Sequence, residues 1–112
     1  MKVSELTGKD LDYFVAKAQG WRLDGTSNYH WVFDDGDHIS KVSYTPSTNG
    51  GQCVELMKLD SFRWVEKFRG KYNAMFNQLD KNVVLTSGPT LNIAICRAFV
   101  ASVYGEEVSD GG

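Results

Sequence analysis

The stretch from Leu91 to Tyr104 most constrains what this chain can fold into. Eleven of its fourteen residues are apolar, interrupted only by Asn92, Arg97 and Ser102. A helix apolar on nearly every side is buried on most of them, so the remaining elements must be arranged around it. Its boundaries are legible: Ser87-Gly88-Pro89-Thr90 breaks the preceding structure, Thr90 supplies an N-cap oxygen, and Gly105 suits the residue that ends a helix. Fourteen residues fall short of the ~20 that a bilayer requires, so the segment reads as a core helix. Arg97 stands out on it. A lone guanidinium there either snorkels to solvent, meets a carboxylate, or contacts a ligand.

A second helix is marked at the N-terminus. Thr7 is placed to cap it, Asp10 suits its positive end, Leu11, Phe14, Val15 and Ala18 recur at helical spacing, and Gly20 stops it. Lys9, Asp12 and Lys17 read as its wet side. From Asn28 the period changes toward two, and Asp35-Gly36, a favoured hairpin dipeptide, separates Tyr29, Trp31 and Phe33 from a β-prone run over 39–44. The cluster Asp34, Asp35, Asp37 and His38 reads as that turn, since it lacks the spacing of a calcium loop. Residues 45–52, TPSTNGGQ, read as an exposed loop, followed by a short helix through Cys53, Leu56 and Met57. Over 62–79 the apolar residues fit both a helix and a hairpin. Aromatic and β-branched content, with Arg69-Gly70-Lys71 in the middle, favours the hairpin, and 83–86 extends it by a strand.

These elements make one domain. The chain has 112 residues, 42% hydrophobic and 23% charged, a globular composition that excludes disorder and lacks a membrane protein's apolar excess. The expected architecture is α+β: a small antiparallel sheet packed with an N-terminal and a buried C-terminal helix, spanning 1–108, with a flexible tail at 109–112 and fraying from Glu106. No apolar signal segment follows Lys2, so a cytoplasmic location is expected.

The formal net charge is −2, which does not favour double-stranded DNA as a partner. Its distribution is uneven: from Lys58 to Lys71, five bases face Asp60 and Glu66, a local +3, with Trp64, Phe68 and Tyr72 interleaved. That pattern suits either a solvated strand face or an anion-facing surface. Cys53 and Cys96 have no metal-ligand spacing, and neither His30 nor His38 is spaced to activate Cys53. The sequence carries no nucleophile elbow, zinc pattern, GxxxxGK[ST] or GxGxxG, so a non-enzymatic protein without a cofactor is expected.

Four pieces in order, SELTGKDLDYFVAKAQGW, YTPSTNGGQ with ELMKLD, KYNAMF, and SGPTLNIAICRAFVASVYGEEV, resemble the NinX-like family of small tailed-phage proteins. The two ends are the most specific. Relatives often carry Trp or Asp-Trp where this chain has Asn49-Gly50-Gly51, Trp in place of Tyr72, and Pro in place of Leu91. The resemblance implies a phage or prophage origin and action in an infected bacterium. It implies no catalytic mechanism.

Two functions follow as expectations. The first is a binding module that sequesters a nucleotide immune signal of antiphage defence. Ser47, Thr48, Gly50, Gly51, Ser87 and Thr90 would offer hydroxyl and N–H donors to phosphates, Arg97 would neutralise them, and Tyr44, Trp64 or Tyr72 would line or stack the base. The alternative is a protein-interaction module that inhibits or redirects a host protein, or self-associates, through an aromatic patch drawn from Tyr29, Trp31, Phe33 and Trp64.

Overall fold

The computed structural model describes residues 1–25, 29–33, 35–77 and 83–109. We number its elements α1 (Gly8–Ala18), β1 (Arg22–Leu23), β2 (His30–Val32), β3 (His38–Ser40), α2 (Gly50–Met57), β4 (Phe62–Phe68), β5 (Lys71–Asn77), β6 (Val83–Gly88) and α3 (Leu91–Tyr104). The chain is α+β, and among the described residues its strands form two antiparallel three-stranded sheets, β1-β2-β3 and β4-β5-β6, where one was expected.

Helix α3 is the centre of the fold. The Thr90 hydroxyl accepts from Ile93 N at 3.1 Å, every residue from Ala94 to Ser102 is buried, and Gly105 ends the helix at φ +90°. It packs on one face of β4–β6 and against α1 and α2. The ambiguity over 62–79 resolves as the hairpin. Arg69 (φ 52°) and Gly70 (φ 80°) both adopt left-handed backbone, as a two-residue turn between right-twisting strands requires, and Phe68 pairs with Lys71 to close it. The β6 strand then pairs antiparallel to β5, setting Tyr72 opposite Gly88. Leu79 lies outside the described residues.

The first hairpin also forms, with Gly36 at φ +90° and Phe33 N donating to Asp37 O at 2.8 Å. Its second strand is shorter than the expected 39–44: after Ser40 the chain turns through a 3-10 segment, Lys41–Ser43. That bend leaves Val42 exposed and buries Tyr44, whose ring lies 4.8 Å from that of Trp21. Asn28 and Asp34 lie outside the described residues.

Four further expectations are corrected. Thr7 stands at the N-cap of α1 but its side chain makes no capping bond; Gly8 follows at φ +54°, which turns the first amides away from the cap hydroxyl. Asp12 is buried, not on a wet face. The 45–52 stretch is an exposed loop only in part: 48–51 are exposed, but Pro46 and Ser47 are buried and α2 begins at Gly50, its N-cap Asn49 accepting from Gln52 N at 3.0 Å. The chain from Glu106 is not frayed: Val3 N donates to Glu106 O and Val108 N to Met1 O, each at 2.9 Å, and Val108 is buried. Of the expected tail at 109–112, all but Ser109 lies outside the described residues.

Candidate functional site

Asp12 of α1 and Gln19, the residue that caps its C-terminal end, lie along one line. Asp12, Val15, Ala16 and Gln19 recur at helical spacing on a side adjacent to the apolar stripe, and this line receives the Tyr44–Gln52 segment. Ser47 N donates to Asp12 Oδ1 at 2.8 Å in a buried contact. Gln19 Nε2 donates to the Tyr44 hydroxyl at 2.7 Å and to Val15 O at 3.3 Å. From α2, Gln52 Oε1 accepts from Thr45 N at 2.7 Å while its Nε2 donates to Ser43 O at 2.8 Å. From α3, Asn92 Nδ2 donates to Pro46 O at 3.1 Å. All three helices therefore hold the same short stretch of chain.

Burial sets the electrostatics. It pushes the Asp12 carboxyl above the usual range, against the opposing pull of the Ser47 amide, and pushes the Tyr44 hydroxyl up as well. Ser47 Oγ is buried and has no hydrogen-bond partner among the described residues. The Cys96 thiol, buried at the facing of α2 and α3, is pushed up by its hydrogen bond with Cys53 and by burial.

Of the residues expected to bind a nucleotide, Tyr44 and Ser47 lie inside this seam, whereas Thr48, Gly50 and Gly51 are exposed at the start of α2, and Ser87 and Thr90 are exposed before α3. The Asn92–Pro46 bond brings those two helix starts alongside each other. Their side chains serve local turns: Thr48 Oγ1 donates to Thr45 O at 3.3 Å, and Thr90 caps α3. Arg97 does not reach open solvent and, among the described residues, meets no carboxylate. Its Nε donates to Leu6 O at 2.9 Å and its Nη1 to Ser87 O at 3.0 Å, and burial lowers its pKa. Trp64 and Tyr72 lie on opposite faces of the sheet, because Trp64 pairs with Met75 while Tyr72 pairs with Lys67, one residue out of phase.

The two sheets treat their aromatics differently. In the first, Trp31 is 2% exposed with its ring 5.5 Å from Tyr13, and Phe33 lies 4.4 Å from Trp21, so of the expected patch there only Tyr29 is open. In the second, Ala74 and Phe76 are buried under α3 and Val65 and Tyr72 pack on the core, which turns Trp64, Glu66 and Phe68 outward. Trp64 is 38% and Phe68 57% exposed, and the Arg69 guanidinium lies 5.2 Å from the Phe68 ring. An open depression of about 450 Å³ lies near the C-terminal end of α3, lined by Met1, Phe14, Tyr104, Glu107, Val108 and Ser109. It is one helix length away from Thr90 and holds none of the expected residues.

The family model described as Bacteriophage P22, NinX matches residues 2–103. The chain belongs to this family. The match runs from the N-terminal segment through α3, so the NinX family signature covers both helix starts, the seam and the outward face of β4. It identifies a small phage protein. No curated protein matches the chain. Among the described residues, no helix of this NinX-family member is long and apolar enough to cross a membrane.

Sequence reasoning missed Asp12, Gln19, Gln52 and Asn92. A signal existed for the α1 pair: Asp12 and Gln19 bracket Val15 and Ala16 at helical spacing, so the helix has a second buried stripe with polar ends. No spacing pointed to Gln52 or Asn92, whose partners are backbone atoms.

Proposed function

We propose that this phage protein is a non-enzymatic binding module that acts on a host protein in the cytoplasm of the infected bacterium, making contact through the outward face of β4. One observation carries the reading: Trp64 and Phe68 stand exposed on the same side of the sheet, opposite the face that α3 covers. Large aromatics at the surface add interface energy where they become desolvated. Burial of several groups with catalytic potential supports the non-enzymatic part, since Asp12, Ser47, Tyr44 and both thiols lie in the packing that holds the chain together.

The test is capture from host lysate by immobilised wild-type protein and by the Trp64→Ser/Phe68→Ser double variant. A host protein held by the first and lost by the second supports the reading. Equal capture by both refutes it.

The second reading is sequestration of a nucleotide immune signal. Its support is the Asn92–Pro46 bond, which sets the exposed starts of α2 and α3 side by side with Thr48, Gly50, Gly51 and Thr90. Titration with cyclic oligonucleotides and cyclic ADP-ribose-type molecules decides it, binding by the double variant being the outcome that favours it over the first.

A further inference from the structure

We propose that β4 is a docking edge that takes an acidic, extended protein segment as a fourth strand. This rests on the binding reading above and names the partner's chemistry. In the sheet order β4-β5-β6, β4 is an edge among the described residues, seven residues long and exposed at most positions. The hairpin closes on Phe68 and Lys71 across a two-residue turn. In such a ladder Phe68, Glu66 and Trp64 bond toward β5, so Val65 and Lys67 direct their N–H and C=O away from it. Those groups alternate donor and acceptor, which another peptide backbone matches and a phosphodiester chain does not.

Charge selects the occupant. Arg63, Lys67, Arg69 and Lys71 flank Glu66 along the chain, with Lys67 on the face opposite to Glu66. A second copy of the chain fits poorly, because antiparallel pairing centred on Val65 sets Arg63 opposite Lys67, centring on Glu66 or Lys67 sets a charge against itself, and centring on Trp64 runs the pairing into the irregularity between Phe62 and Trp64. A strand carrying Asp or Glu meets these bases favourably, and its apolar residues gain Trp64 and Phe68 as neighbours.

The experiment uses the full chain and fluorescein-labelled peptides of about eight residues: alternating Glu-Val, the same peptide N-methylated at alternate backbone positions, alternating Lys-Val, and an oligothymidine. Anisotropy reads binding, and amide exchange reads the edge. The Glu-Val peptide is expected to bind and to slow exchange of the Val65 and Lys67 amides. N-methylation is expected to abolish binding, and Arg63→Glu/Lys67→Glu, exposed positions whose folding is checked by circular dichroism, to weaken it about tenfold. Preference for Lys-Val or oligothymidine, equal binding of the N-methylated peptide, or unchanged exchange at Val65 and Lys67 overturns the proposal. Lys67→Pro separates the two claims in host-protein capture, since it removes the edge amide while leaving Trp64 and Phe68. Capture lost in Trp64→Ser/Phe68→Ser but kept in Lys67→Pro overturns the added strand and leaves the binding reading standing. Capture kept in both overturns both.

Discussion

Arg97 Nε donates to the carbonyl oxygen of Leu6 at 2.9 Å, joining the middle of α3 to the chain ahead of α1 across ninety-one positions of sequence. With Nη1 on Ser87 O, one side chain ties the N-terminal segment, the end of β6 and α3 together. Both acceptors are backbone carbonyls, which lose their partners if the guanidinium goes. Arg97→Met is therefore expected to destabilise the fold by about 3 kcal/mol, the order of two hydrogen bonds to a charged donor, and Arg97→Lys to recover part of that. Urea denaturation of the three proteins checks it.

The Asp12 carboxylate accepts the Ser47 amide, and burial raises its pKa. Asp12→Ala leaves that amide unsatisfied and is expected to cost about 1–3 kcal/mol. Asp12→Asn keeps an acceptor oxygen without the charge and is expected to cost less. The pH dependence follows from the sign of the shift. The unfolded chain releases this proton near 3.8 and the folded one at higher pH, so Asp12 lowers stability as pH rises through that interval. Wild type should gain on Asp12→Asn as pH falls from neutral, measured by denaturation at several pH values.

Gly88 closes β6 against α3. A Cβ built there would lie 2.8 Å from Ala94 N and 2.9 Å from Ile93 Cγ2, and the first of these is backbone that does not give way. Gly88→Ala is expected to cost about 1–3 kcal/mol by forcing strand and helix apart. Gly25→Ala, with nothing within 4 Å, is the control in the same thermal melt.

Cys53 and Cys96 are both buried, and the hydrogen bond between them together with burial keeps the Cys96 thiol protonated well beyond neutral pH. Neither is expected to react with iodoacetamide in the folded protein at pH 8, and both should react once urea unfolds it. Mass spectrometry of the alkylated protein counts the labels.

The parts of this fold that local chemistry dictates were legible in the sequence. The Thr90 cap, the apolar run and Gly105 bound α3, and the Arg69-Gly70 pair marks the turn of the second hairpin, because each acts on its immediate neighbours. What was not legible depends on distant partners. Asp12 looks like a surface acid until Ser47, thirty-five residues on, brings an amide to it. TPSTNGGQ has the composition of a loop, and its Pro46 and Ser47 are buried because Gln19, Gln52 and Asn92 supply the hydrogen bonds that this backbone and Tyr44 need. The placement of Trp64 and Tyr72 on opposite faces is a matter of register, which residue types alone do not set.

Trp31 and Trp64 test the division between core and contact surface. Trp31 is 2% exposed at the centre of the first sheet, and its removal leaves a void beside Tyr13; Trp31→Ala is expected to cost about 3–5 kcal/mol. Trp64, at 38%, faces outward on an edge strand with Met75 across the ladder, so Trp64→Ala should change stability by no more than about 1 kcal/mol. Acrylamide should quench the fluorescence of Trp64 far more readily than that of Trp31, which single-tryptophan variants read directly. If Trp64 proves as costly to remove as Trp31, its side chain belongs to the core and the outward face of β4 loses its claim as a contact surface. If it does not, the energy of burying that indole remains available to a partner.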